Sequence, residues 1–355
     1  MATFSDAGLL LLITLIKIAV VILVMLTAIA YLTWLERKVV AHIQARWGPY
    51  LVGSHGLLQP VADGIKFFLK EDIVPLQADT LIYWLAPFLG FTLAMLSIAV
   101  VPFGEGFTIH GRQISFQITD LNVGVLFIFA VTSLGVYSIA LAGWSSNSKY
   151  PLFGGLRSSA QMISYELGLG LAVVGVLMID GTLSLRGIVN SQAGFWHIAG
   201  MKTILPHWNF FVQPVGFLVY FTAAIAETNR VPFDLPEGES ELVGGFHTEY
   251  SSMKFAMFFL SEYANMITVS CLATILFFGG WHGPVFGPYV LRVLLPLFWF
   301  SLKVFCFLFF YIWIRGTLPR FRYDQLMAFG WKFLLPVGLL NVLVTSFVVA
   351  WISSS

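Results

Sequence analysis

Residues 8–34 read GLLLLITLIKIAVVILVMLTAIAYLTW, a run broken by one charge, Lys17. A helix needs about 20 mostly apolar residues to cross a bilayer. Strands would alternate polar and apolar residues, and this run does not. In hydrocarbon a non-alternating apolar run closes its backbone hydrogen bonds only as a helix. Asp6 is the only charge before Lys17 and the run exceeds a signal-peptide core of about 7–15 residues. It is therefore expected to be retained as a first span, although Ala28-Ile29-Ala30 mimics a cleavage site.

Further runs of this kind follow at 79–102, 118–143, 155–180, 208–226, 252–280, 289–316 and 331–352. With 58% hydrophobic and 10% charged residues in 355, the chain departs from soluble composition, where about 25% are charged. The expected fold is all-α: one integral membrane domain over 1–355 with eight transmembrane helices. Pro87, Pro296 and Pro336 inside spans predict kinks or tilts. Segment 208–226 is short and follows Pro206, with Pro214 inside it, which makes it the weakest span.

Lys and Arg number thirteen in the loops on one face and four on the other, with Lys17 and Lys303 inside spans. By the positive-inside rule the first face is cytoplasmic and both termini lie on the outer side. That count takes the segments 36–78, 144–157, 227–254 and 315–332; the cytoplasmic loops proper, 36–78, 144–157, 227–251 and 317–330, are dense in Arg, Glu, Pro, Gly and aromatics. Within them Leu57, Leu58, Val61, Ile65, Phe68 and Leu69 recur at helical spacing against Gln59, Asp63 and Lys66. That pattern predicts an amphipathic helix lying in the interface, and 319–329 is a second candidate.

Three constellations carry chemistry. Glu227, Asp234, Glu237, Glu239, Glu241, Glu249 and Glu262 are seven of the 18 acidic residues, opposed only by Arg230 and Lys254. Crowded carboxylates raise one another's proton affinity, so such a set can exchange protons near neutral pH. A solvated acidic loop is the plainer reading, but Glu262 sits inside an apolar helix. Glu166 lies about 15 Å into span four, where a carboxylate must be protonated or paired. Lys303, similarly deep in span seven, is its expected partner, and proton relay and structural pairing are compatible roles. The third set is basic and aromatic: Glu36, Arg37, Lys38, Gln44, Arg46, Gln59, Asp63, Lys66 and Lys70, then Arg315, Arg320, Arg322 and Asp324. Arg forks there can grip a docked protein's carboxylates or lipid headgroups.

The histidines lie in loops or at span ends, so paired haem ligands are not expected. Cys271 and Cys306 fall in apolar runs and read as buried packing thiols. No CxxC, GxGxxG or P-loop pattern is present. The net charge of +1 gives no argument for nucleic acid. Any electrons must come from a partner.

The polar loops themselves carry a resemblance. ERKVVAHIQARWGP and GLLQPVADGIKFFLKED lie between Glu36 and Asp72, and GGLRSSAQMISYE runs from Gly154 to Glu166. ETNRVPFDLPEGESELVGGFHTEYSSMKFAMFFLSEYANM follows from Glu227 to Met266, then RGTLPRFRYDQLMAFGWKFLLP from Arg315 to Pro336. These stretches, in order over nearly the whole chain, resemble the H-subunit family of bacterial NADH–quinone oxidoreductase (respiratory complex I), counterpart of mitochondrial NADH dehydrogenase subunit 1.

The resemblance implies a multi-pass subunit of the bacterial inner membrane with eight helices, at the junction of the membrane and hydrophilic arms of a proton-translocating enzyme. It implies quinone as substrate, no cofactor held by this chain, and FMN and iron–sulfur clusters in partner subunits. By motif position Arg37, Asp63, Lys66, Phe255 and Phe259 become candidates for the quinone channel. Glu166, Glu227, Asp234, Glu237, Glu239, Glu241, Glu249 and Glu262, with Lys303, become candidates for a proton relay toward antiporter-like and small membrane-arm subunits. The family's helices two to six look like an antiporter half-channel. Arg46, Arg320, Arg322 and Asp324 are candidates for docking the hydrophilic subunits that carry the terminal cluster. Tyr50-Leu51 follow Gly48-Pro49 where the family has Asn-Arg, and Gly238 stands where Ala is common. A related subunit of a membrane-bound hydrogenase and a free-standing cation or proton antiporter are the alternatives. Neighbouring genes would separate the first, and transport by the isolated chain the second.

Overall fold

The computed structural model describes residues 2–109, 112–198, 201–234 and 244–354. The expected all-α membrane architecture is present. Among the described residues, seven helices are long and apolar enough to span a membrane. The first, α1, runs over Ala2–Ile43, well past the apolar run, and so carries Glu36, Arg37 and Lys38 on helical backbone. The predicted interfacial helix is α2, Gln59–Leu69, with Pro60 in its first turn. Val61, Ile65, Phe68 and Leu69 are exposed on it.

Next come α3 (Thr80–Ser97), α4 (Gly124–Ser145) and α5 (Lys149–Asp180), then a short α6 (Leu185–Ser191). The region expected to form the fifth span divides into α7 (Asn209–Val212) and α8 (Pro214–Glu227). Pro214 has no N–H to donate, which stops α7 at Val212. At 1.5 Å per residue, α8 is about 21 Å long, less than a hydrocarbon core of about 30 Å. The remaining long helices are α9 (Ser252–Phe277) and α10 (Tyr289–Thr317). Finally α11 (Tyr323–Phe329) joins α12 (Leu335–Ser354) through a π turn, Gly330–Leu334. Segment 319–329 is therefore no separate interfacial helix, since Tyr323–Ser354 is continuous. The π turn falls just before Pro336, whose missing N–H would leave an ordinary helical carbonyl without its donor.

Two small antiparallel hairpins, unforeseen in the sequence, interrupt the loops: β1 (Phe107–Ile109) with β2 (Arg112–Ile114), and β3 (Phe195–Ile198) with β4 (Met201–Pro206). Helix α9 forms the centre. Every residue from Met266 to Phe277 is buried, and Thr268, Ser270 and Thr274 return their hydroxyls to carbonyls of their own helix. Burying such residues therefore leaves no donor stranded. Peripheral α1, α10 and α12 expose Leu9, Leu10, Leu23, Phe298, Phe347 and Trp351, as a lipid-facing surface requires. Cys271 is buried as expected, but Cys306 is exposed on α10. An apolar run does not say which helix face packs inward when lipid serves the other.

Glycines bring α4 and α5 together: a Cβ on Gly143 would lie 2.5 Å from the Pro151 carbonyl, and one on Gly155 3.1 Å from that of Ile139. Small residues permit such close approach in membranes. Gly154 does the same for the turn Gly245–His247, since a Cβ there would lie 2.8 Å from the Phe246 nitrogen. Replacing Gly154 by Val is expected to displace that turn and lower the amount of assembled protein on native gels several-fold. Gly170→Ala, where a Cβ meets nothing within 4 Å, is expected to leave it unchanged or slightly raised.

Candidate functional site

A cavity of about 1210 Å³ opens where the last turns of α1, the inner side of α2 and the first turns of α9 converge. Arg37, Asp63, Lys66, Phe255 and Phe259, all expected to act together, line it. Arg37 pairs with Asp63 at 2.7 Å, tying α1 to α2, and Lys66 stands 3.6 Å from the same carboxylate. Asp63 also accepts from Gln59 at 3.2 Å. Arg37 and Lys66 are exposed, so these pairs orient more than they stabilise. Opposite them the Phe255 and Phe259 rings pack at 4.6 Å, and Phe67 of α2 lies 6.2 Å from Phe255.

The deepest polar group on this wall is Glu36, which is buried. It accepts from Arg230 at 3.3 Å, from Tyr263 at 2.5 Å, and from Arg315. The Arg230 guanidinium also lies 4.3 Å over the Tyr263 ring. One carboxylate thus joins α1, the segment after α8, α9 and α10. Burying it alone would cost several kcal/mol, which two guanidinium groups and a phenol offset. Motif position did not single out Glu36, Arg230, Tyr263 or Arg315 as site residues. The available signal was position: Glu36 and Arg315 each fall at an end of an apolar run, where a charge must find a partner or water.

Behind this wall Glu227, Thr228, Asn229 and Glu262 surround a second, small cavity of about 20 Å³ with Ser138 and Ser261. That is room for about one water molecule. Glu166 is hydrogen-bonded to Ser133 of α4 and lies within charge-interaction range of Glu227. Asp234 is buried and pairs with Arg320 at 2.9 Å. The Glu249 carbonyl accepts from Tyr83 at 2.6 Å. Glu237, Glu239 and Glu241 lie outside the described residues.

Lys303 does not join Glu166. Its ammonium donates to the carbonyls of Phe278, Gly280 and His282 at 2.7, 2.9 and 2.8 Å, capping the end of α9 beside the Trp208 ring. Free carbonyls at a helix C-terminus attract a cation, and equal depth in two spans does not put two residues on facing sides. Of the expected docking groups, Arg320 is engaged within the chain by Asp234, whereas Arg46 reaches Gln44 at 2.7 Å and lines the large cavity. The Arg322 backbone N–H donates to Gln325, and Asp324 sits in the first turn of α11.

Packed aromatic rings lie between the two cavities. Phe255 and Phe259 face the large one, while Phe246 and Phe258 face the small one. His247 sits between them with its ring edge-on to Phe246, Phe255 and Phe259 at 5.1, 5.2 and 5.8 Å. Burial pushes its imidazole down to about 4, so it is neutral at pH 7.

The family model described as NADH dehydrogenase matches residues 16–346. Among curated proteins, the NADH-quinone oxidoreductase H subunit 2 of Koribacter versatilis is 58% identical over 361 aligned residues, covering 98% of this chain and 99% of that one. The H subunit 1 of Solibacter usitatus is 54% identical, covering 96% of this chain and 97% of its own. The H subunit 2 of Geobacter metallireducens is 51% identical, covering 94% and 95%.

The His247 environment sets a pH window. Opening the turn returns the imidazole to its ordinary value of 6.5, so between there and about 4 the open form binds a proton that the closed form does not. Stability of the turn is therefore complete above pH 6.5 and falls as pH drops toward about 4. Amide exchange at 245–250, corrected for intrinsic rate, is expected to quicken across that window and to lose this dependence in His247→Gln.

Proposed function

Since the chain belongs to the NADH dehydrogenase family, as an H subunit of NADH–quinone oxidoreductase, we propose that its large cavity is the membrane-side part of the quinone chamber. The chain is a multi-pass membrane subunit of a proton-translocating oxidoreductase. Its relatives support that reading and not the hydrogenase-related or free-standing antiporter ones. The observation that carries the proposal is the juxtaposition of a cavity of about 1210 Å³ with a carboxylate cluster across packed aromatic rings.

The cavity suits an amphiphile with an isoprenoid tail: Phe255, Phe259 and Leu260 offer apolar contact, and Arg37, Asp63 and Lys66 offer the few polar groups that orient a head. The tail enters from lipid between α1, α2 and α9. The basic loops face the cytoplasm, both termini lie outside, and the hydrophilic arm docks over Arg46, Arg322 and Asp324. Electrons arrive from an iron–sulfur cluster in that arm, whose FMN and clusters belong to partner subunits.

Two electrons and two protons convert quinone to quinol. Negative charge on the quinone before the protons arrive raises the proton affinity of nearby carboxylates, and low-dielectric surroundings strengthen that effect. Glu262 and Glu227 are the nearest described acids beyond the aromatic layer, with Glu166 beyond them toward the neighbouring subunits. The loop acids Glu237, Glu239, Glu241 and Glu249, with Asp234, complete the path. Lys303 stays outside it, as a cap of α9.

Glu262→Gln is expected to lower coupled NADH–quinone turnover at least tenfold with the complex still assembled, because the amide keeps the shape and removes the titratable proton. Turnover and proton pumping are read in proteoliposomes. Wild-type coupled rates in this variant would remove Glu262 from the relay.

A further inference from the structure

Lys254 takes no part in the site as described, yet it is the most thoroughly enclosed cation in this region. Its side chain is 3% exposed, its ammonium lies 3.0 Å from Asp72, and it stands 4.5 and 4.2 Å over the rings of Tyr83 and Trp84. Tyr83 is in turn stacked on Tyr250 at 4.1 Å. The neighbours of Lys254 in sequence, Ser252, Met253, Phe255 and Ala256, all line the large cavity. Lys254 therefore points out of the cavity wall and fixes the helix turn that forms it.

Asp72 follows α2 directly, in the stretch that leads to α3. The same join is made at two further points: Ser252 donates to the Phe67 carbonyl at 2.9 Å, and the Ile73 N–H donates to Ser251 at 2.9 Å. Ser252 holds a left-handed backbone with φ of 54°, which is costly for a residue with a side chain and persists only where the surroundings enforce it. The ion pair thus closes a short ring of contacts between the end of α2 and the start of α9. At the other side of α2, Arg37–Asp63 holds it to α1.

From this geometry we infer that the Lys254–Asp72 pair is a latch that sets the width of the cavity mouth, with Lys254 a positioning residue for threading the quinone tail. The inference rests on the quinone-chamber reading above. Helix α2 has lipid on one side and the cavity on the other, and its tethers to α1 and α9 fix that spacing. A widened mouth still admits a short quinone. A long tail, which must lie along the whole wall, loses its contacts with Phe67, Met253 and Phe255.

The test uses the intact complex in native membranes, with a long-tailed and a short-tailed ubiquinone as probes. Lys254→Gln and, separately, Asp72→Asn are expected to raise KM for the long-tailed quinone about threefold or more, with kcat and the short-tailed KM changed by less than about twofold. Lys254→Arg, which keeps the charge and stacks on the same rings, is expected to restore the wild-type values. Should Lys254→Gln fail to assemble, Asp72→Asn decides. Failure of both to assemble, an equal change for both quinones, or a fall in kcat alone would overturn the latch. Phe259→Ala separates the two levels. If it moves the quinone KM and the latch variants do not, only the latch fails; if it also leaves KM untouched, the chamber itself is misplaced.

Discussion

A single buried carboxylate, Glu36, holds the functional half of this protein together. Arg230, Tyr263 and Arg315 all donate to it, and they arrive from three separate parts of the chain. A charge taken from water must find partners of matching geometry, and each of these partners brings a structural element with it. Helix α9 is fixed against α1, α10 is drawn in at its end, and the segment after α8 is anchored before it enters the acidic loop. The large cavity is the space these constraints leave open beside α2.

What lies behind that cavity follows from the same packing. The close glycine contact at Gly154 lets the turn Gly245–His247 settle against α5, which places Phe246 on the wall of the small cavity, on the side of the acidic residues. The resulting layer is built from the rings of Phe246, Phe255 and Phe259 with a neutral imidazole among them. Such a layer separates the large cavity from the carboxylates without insulating them from a charge placed in it, since charge acts at greater range in a medium of low dielectric. Coupling between the two sides can therefore be electrostatic before it is conformational.

Much of this was legible in the sequence, because lipid imposes simple rules. Seven of the eight expected apolar runs coincide with helices long and apolar enough to cross a membrane among the described residues, and the 3.6-residue spacing of Val61, Ile65 and Phe68 marked α2. The loop motifs brought Arg37, Asp63, Lys66, Phe255 and Phe259 to one cavity. What escaped depends on facing direction and on local backbone chemistry. Depth along a helix suggested Lys303 for Glu166, but rotation about the helix axis aimed it at the carbonyls ending α9. Pro214 split the fifth span, and the π turn before Pro336 merged a supposed loop helix with the last one. The hairpins at 107–114 and 195–206 are too short for alternation to register. In the sequence Glu36 is one charge among many, because its partners are brought to it only by the fold.

The most direct test of the account is hydrogen exchange on the assembled complex with Glu36→Ala. Removing the carboxylate leaves two guanidinium groups without their shared partner, a loss of about 3 kcal/mol where the group is buried. Exchange is expected to quicken together at 228–234, at 260–264 and at 313–317, with Glu36→Gln showing a smaller effect in the same three segments. Unchanged protection there, or quickening confined to α1, would contradict the claim that this carboxylate organises the site.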